Sequence, residues 1–204
     1  MYLKAHCHIY FNDDKVGIIR TYLTNKDNVS KIIIILDEEF DCFNKLFKGC
    51  NCIEKVNFIK CNRNDIEDLS YMFSYCKLLK EISFSNFNNI NINNVNHMFD
   101  NCVSLKKVNI SNLNTNKVTN MAYMFCNCYS LKELNVSNFN TSKVNDMSFM
   151  FFNCSSLKEL DLSNFKFKNC NIECMFSYCF EQLKKKIKSQ IKNIDYEAFK
   201  EYYL

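Results

Sequence analysis

The chain lacks proline and tryptophan, and its 204 residues include only two glycines, Gly17 and Gly49. Average usage would place about 14 Gly and about 10 Pro in a chain of this length. Without glycine, neither a phosphate-cradling loop nor a GxGxxG dinucleotide loop can be built. Without proline, rigid proline-rich segments are excluded, and collagen-like and Gly/Ser-linker readings also fail. Any turn that needs a left-handed residue is expected to use Asn or Asp, the next most tolerant types. Asn is abundant, at 31 residues. Arginine is nearly missing as well: Arg20 and Arg63 stand against 24 Lys. That shortage and a net charge of +4 weigh against nucleic acid as a partner.

Long apolar runs are also missing. The longest is Ile32-Ile33-Ile34-Ile35-Leu36, so no transmembrane segment is expected. The opening residues show no basic stretch followed by an apolar one, the mark of a secretory signal. A cytoplasmic location is the expectation, with the cell surface as the alternative. A hydrophobic content of 48% suffices for a packed core.

A repeat dominates what is present. Met-Phe recurs at Met72-Phe73, Met98-Phe99, Met124-Phe125, Met150-Phe151 and Met175-Phe176, at spacings of 26, 26, 26 and 25. Three residues after each Phe stands a cysteine: Cys76, Cys102, Cys128, Cys154 and Cys179. Leu46-Phe47 and Cys50 fit the same frame one period earlier, and Leu23, Val29, Ile32 and Ile34 can be read as a degenerate leading unit. In each unit the first half carries an apolar residue every three positions, as in Val118, Met121, Met124. That predicts one or two turns of α- or 3₁₀-helix. The second half, Leu131-x-x-Leu134-x-Val136, ends in period-two alternation and predicts a short strand. One such unit cannot close a core alone and must stack on its neighbours.

Phe-x-x-Cys-x-x-Leu-x-x-Leu-x-Leu resembles the BspA-like leucine-rich repeat of bacterial and protist surface proteins. The Met-Phe form, with Ser-Asn-Phe-Asn after the strand, resembles its mycoplasma-lipoprotein subgroup. The likeness spans roughly residues 40–179. The fold it implies is an α/β leucine-rich-repeat solenoid, with parallel strands on one face and short helical turns on the other. The expected organisation is an N-terminal cap over 1–22, a solenoid of about six repeats over 23–179, and an amphipathic capping helix over 180–204. In the last segment Phe180, Leu183, Ile187, Ile191 and Ile194 keep helical spacing through a lysine-rich run. Those lysines read as a solvated cap face.

In such a solenoid the outward strand positions line the concave side. Here they form the columns Lys55, Glu81, Lys107, Glu133, Glu159 and Asn57, Ser83, Asn109, Asn135, Asp161. A third column is Ile59, Ser85, Ser111, Ser137, Ser163. The first two columns, Ser83 excepted, are the candidate partner-binding residues. The expected function is a non-enzymatic, monomeric scaffold for an unidentified protein partner, with no cofactor. A cell-surface adhesin and a cysteine-rich metal or thiol protein are the alternatives. Asn86, Asn112, Asn138 and Asn164 are expected to form an internal ladder that satisfies turn backbone groups.

Thirteen cysteines cannot all pair internally. The six at one repeat position read as small buried hydrophobes. If their layer is helical, neighbours lie about 8–10 Å apart, beyond the roughly 7 Å reach of a disulfide. Cys170, Cys174 and Cys179 have no zinc-knuckle spacing, and His6-Cys7-His8 has no identifiable partner ligands.

Overall fold

The computed structural model describes residues 7–11, 32–36, 43–58, 65–87 and 91–201. They fall into two compact units that divide between Cys42 and Phe43. In the first unit, β1 (Cys7–Phe11) pairs antiparallel with β2 (Ile32–Leu36), with Cys7 opposite Leu36 and Phe11 opposite Ile32. The aliphatic run Ile32–Leu36 suits a strand by its β-branched content. Its antiparallel pairing with β1 differs from the parallel pairing expected of a leading repeat. Leu23, Val29 and most of the expected cap over 1–22 lie outside the described residues.

The second unit carries the repeats. Each begins with a residue whose side chain folds back on the chain. Oδ1 of Asp68, Asn94, Asn120, Asp146 and Asn171 accepts a hydrogen bond from the backbone N–H two residues on. These Asx turns stand in register, because the same residues form a chain of parallel bridges from Asp68 to Asn171.

The three-residue period that follows is not helical. N–H groups alternate between two jobs. Those of Leu69, Tyr71, Phe73 and Tyr75 donate to the carbonyls of Asn94, Asn96, Met98 and Asp100 in the next repeat, at 2.8–3.0 Å. Those of Met72, Ser74 and Cys76 donate back to Leu69, Tyr71 and Phe73, at 3.0–3.2 Å. Consecutive turns share apolar spacing with a 3₁₀-helix, so periodicity alone cannot separate them. The neighbouring repeat decides the matter by accepting every second N–H. Among the described residues, helix in this unit is confined to α1 (Glu181–Gln190) and a 3₁₀ turn at Tyr196–Phe199. The expected helical turns on the second face are therefore a ladder of tight turns.

Two residues per repeat are left-handed in this ladder. The first column is Lys45, Tyr71, His97, Tyr123, Phe149 and Cys174; the second is Gly49, Tyr75, Asn101, Asn127, Asn153 and Tyr178. The expectation that Asn would take such positions holds only in part of the second column. In the first, stacking offsets the left-handed conformation, which costs a side-chain-bearing residue about 1–2 kcal/mol. The rings of Tyr71, His97, Tyr123 and Phe149 stack at 4.5, 4.4 and 4.6 Å, within 8° of parallel. Each aromatic contact is worth about 0.5–1.5 kcal/mol beyond area burial. In the second column, Asn127 donates to Asn101 and Asn153 to Asn127.

The core lies behind the ladder. Met72, Met98, Met124, Met150 and Met175 are fully buried, as are Phe73, Phe99, Phe125, Phe151 and Phe176. The phenyl rings stack from Phe47 to Phe199 at 5.2–5.9 Å. The strand halves form a parallel sheet β3 (Lys55–Asn57), β4 (Glu81–Ser83), β5 (Lys107–Asn109), with Lys55, Glu81 and Lys107 in register. In the next two repeats Leu134, Val136, Leu160 and Leu162 keep their inward burial, but residues 132–136 and 158–162 form no strand. The turn ladder is continuous across those same junctions.

At the C-terminal end the chain imitates one more repeat. N–H groups of Cys174 and Phe176 donate to the carbonyls of Glu197 and Ala198, at 2.8 and 2.7 Å. Phe199 extends the phenyl stack. Lys184, almost buried on α1, bonds Glu201 at 2.7 Å and also pairs with Glu181. Capping thus falls to the segment after the helix as much as to the helix.

Candidate interaction surface

Strand-position residues are exposed wherever the alternation points them away from Ile82, Leu134 and Leu160. Lys55, Asn57, Lys107, Asn109, Glu133, Asn135, Glu159 and Asp161 are exposed, and Glu81 is half-buried. An open groove of about 380 Å³ crosses β3, β4 and β5, lined among others by Lys55, Asn57, Glu81, Ser83, Lys107 and Asn109. Six of the expected columns' members therefore share one depression. Glu133, Asn135, Glu159 and Asp161 lie on the repeats beyond it, where the strand is not formed.

Several of these side chains are already engaged. Lys55 pairs with Glu81 at 2.9 Å, and that hydrogen bond holds the Glu81 carboxyl below its usual range. Glu159 meets Lys186 of α1 at 3.3 Å. Oδ1 of Asn109 accepts from the N–H and hydroxyl of Ser111, at 3.2 and 2.8 Å, and Asn135 holds Ser137 in the same way. Asp161 accepts from the Ser163 N–H at 2.9 Å, which lowers its carboxyl. The Asn/Asp column thus shapes the turn after the strand and leaves the amide N–H₂ of Asn109 and Asn135 facing outward as donors. One place further on, the expected internal ladder is present. Asn138 donates to the carbonyls of Ile110, Ser111 and Leu113, and Asn164 to that of Ser137.

The cysteine column has a structural role, for a reason the spacing argument missed. In a parallel ladder neighbouring repeats are about 4.8 Å apart, within disulfide reach. Each thiol points instead at a main-chain carbonyl one repeat back. Cys76, Cys102, Cys128, Cys154 and Cys179 donate to Phe47, Phe73, Phe99, Phe125 and Phe151 at 2.9–3.2 Å. Burial pushes the Cys76 and Cys179 thiols up to about 12 and those of Cys102, Cys128 and Cys154 well above the usual value. These five and Cys50, Cys52, Cys126, Cys170 and Cys174 are free thiols.

Two constellations with chemical potential follow different logic. His97 Nδ1 lies 3.0 Å from Asp100, whose side chain is nearly buried. Burial and then the Asp100 carboxylate push the Cys126 thiol up. The acid therefore stands between imidazole and thiol, whereas activation of the sulfur needs the base against it. At the C-terminal end, Cys179 bonds Phe151, Cys174 faces the Lys200 carbonyl at 3.4 Å, and burial raises half-buried Cys170 to about 11. Among the described residues, no group of three or more His, Cys, Asp or Glu converges to hold a metal ion. His6 lies outside the described residues. Among the described residues, no helix is long and apolar enough to cross a membrane.

The aromatic ladder and the chain-terminal pseudo-repeat escaped the sequence reading. The ladder's only signal was a 26-residue recurrence of ring residues of differing type, Tyr71, His97, Tyr123 and Phe149.

No curated protein matches the chain. Among solved structures it is similar to a leucine-rich repeat protein from Eubacterium ventriosum ATCC 27560, at 18% identity over 62% of this chain and 31% of that one, with a TM-score of 0.40. It is also similar to one from Bacteroides ovatus ATCC 8483, at 16% identity over 74% of this chain and 39% of that one, with a TM-score of 0.35. The chain thus spans between three and four tenths of the length of those two proteins. Residues 41–135 and 67–193 match the family described as "Mycoplasma protein of unknown function, DUF285". Together the two matches cover residues 41–193, which include every Met-Phe-x-x-Cys unit, and the chain belongs to that family.

Proposed function

We propose that the repeats form a solenoid that serves as a protein-binding scaffold, without chemistry of its own, and that the strand face carries the contact. The observation behind this reading is the groove across β3, β4 and β5, lined by polar side chains that recur at constant repeat positions. The turn face is built differently: its ring faces are covered by one another and, at Tyr71, by the ammonium groups of Lys45 and Lys48. Many of its polar groups are used within the turns or between repeats. The strand face keeps some of its donors and charges, those of Lys107, Asn109, Glu133 and Asn135 among them, exposed to solvent, the usual arrangement for a repeat-protein binding surface. The partner is a protein, the scaffold is a monomer, and its compartment is the cytoplasm.

Proximity labelling with the intact chain as bait, followed by binding of the purified candidate, tests this. Charge reversal at Glu133 and Glu159 together with Asp161→Ala is expected to change binding strongly, in the direction set by the partner's charge. Unchanged binding would remove the strand face as the site. Mass spectrometry after alkylation of the unfolded chain tests the compartment. Thirteen free thiols fit a reducing one, whereas several protected pairs would favour the cell surface.

A further inference from the structure

The charges on the strand face are unevenly compensated. One lysine precedes the strand position in successive repeats: Lys80, Lys106, Lys132 and Lys158, at intervals of 26. The same interval leads back to Glu54 and on to Lys184. Both ends of this column are neutralised. Lys80 bonds Glu54 at 2.7 Å, and Lys184 is held by Glu181 and Glu201. In the middle, Lys106, Lys132 and Lys158 are exposed and have no ion-pair partner among the described residues, whereas Lys107 stands beside Glu81 and helps hold its carboxyl down. Like charges on neighbouring strands destabilise each other. Lys106, Lys132 and Lys158 stand in successive repeats of the turn ladder, so each like charge has a like neighbour one repeat away. The free carboxylates interspersed with them are those of Glu133 and Asp161, and Asp161 already accepts from Ser163.

From this we infer that the strand face binds an extended acidic peptide segment. The lysines take its carboxylates, and the outward N–H₂ groups of Asn109 and Asn135 take its backbone carbonyls. A nucleic-acid backbone fits less well. The run has no arginine for bidentate phosphate contacts, and Glu133 and Asp161 would repel an unbroken line of phosphates. This inference rests on the strand face being the docking surface and names the chemistry of the partner.

The test uses the full chain and a fluorescein-labelled twelve-residue peptide of alternating Glu and Ser, read by anisotropy at low and physiological salt. The expected result is binding that weakens as salt rises and falls about tenfold or more in K106E/K132E/K158E, from three exposed pairs of about 0.2–1 kcal/mol each, with reversal adding repulsion. The charge-neutral K106Q/K132Q/K158Q should show an intermediate loss. K185E/K192E, outside the strand face, should bind within about twofold of the parent. These lysines are exposed, so an unchanged thermal melt is expected in each variant. Equal binding by the triple reversal overturns the inference. So does equal binding of the peptide with Gln for Glu, or tighter binding of oligouridylate of matched charge or of vesicles containing anionic lipid. A natural partner that needs Glu133, Glu159 and Asp161 but tolerates loss of the lysines would sink this inference alone. Binding that depends on neither the lysines nor the acidic residues would sink the strand-face reading with it.

Discussion

The turn face and the strand face share one 26-residue period but hold their repeats together in different ways. On the turn face every second N–H crosses to the next repeat, from Lys45 to the pseudo-repeat at Glu197–Ala198. Rings and side-chain amides stack along the same line. On the strand face, the sheet stops at β5 although the apolar alternation runs on. Continuity therefore resides in the turns, and burial together with the asparagine ladder keeps the later strand segments in place. A face whose hydrogen bonds are not needed for stacking is free to vary its outward residues, and there the unpaired charges are found.

The largest expected effect should not distinguish the faces. Phe125→Ala empties the centre of the phenyl column and should destabilise the chain by about 3–5 kcal/mol in denaturant unfolding. A loss under about 1 kcal/mol would mean that the column is not the shared core.

A sharper test lies on the turn face. Tyr123→Ala removes two stacked contacts and keeps a left-handed side-chain-bearing residue, so a loss of about 2 kcal/mol is expected. Tyr123→Gly should be about 1 kcal/mol more stable than the alanine variant, because glycine relieves the backbone cost. The reverse order in thermal melts would show that the conformation is not strained.

Equivalent turn-forming asparagines give the direct comparison. Asn120→Ala should cost about 1 kcal/mol through the lost bond to Ala122, while Asn135→Ala on the strand face should stay within about 0.5 kcal/mol. Equal losses would erase the difference between the faces.

The smallest effect is at the C-terminal cap. The hydrogen bond from Lys184 holds the Glu201 carboxyl below its ordinary value of 4.5. Its contribution is therefore present above pH 4.5 and lost as pH falls through the lower folded value. For Lys184 burial acts downward, but the bonds to Glu181 and Glu201 outweigh it and raise the ammonium, so its share is intact at neutral pH and fades only in strong alkali. Protection of the Cys174 and Phe176 amides, measured by hydrogen exchange relative to the intrinsic rate at each pH, should fall as pH drops below 4.5, and Glu201→Gln should abolish that pH dependence. An identical pH profile in the variant would detach the cap from this ion pair.

Much of this architecture was legible because the repeat multiplies weak signals. Met-Phe-x-x-Cys, the inward Leu positions and the Asn138-type ladder each recur in register, and each occupies the buried or bonded place its chemistry suggests. Periodicity misled where two structures share it: a spacing of three describes consecutive turns as well as a helix. The exposed strand columns were readable as exposed, but their pairing was not. Lys55 with Glu81, and Glu159 with Lys186, depend on neighbours 26 and 27 residues away.

By itself the sequence determined the period, the core side chains and the need for stacking, because apolar spacing and burial are local consequences of side-chain chemistry repeated many times. Only the tertiary structure decided that the turns form an inter-repeat ladder, that aromatic residues occupy left-handed positions, and that the middle lysines stay uncompensated. Each of those depends on which atoms of the next repeat come within hydrogen-bonding, stacking or ion-pairing distance. The scarcity of glycine follows the same division: its exclusion of phosphate loops was evident from composition, whereas the replacement of glycine by stacked rings required the neighbouring repeat.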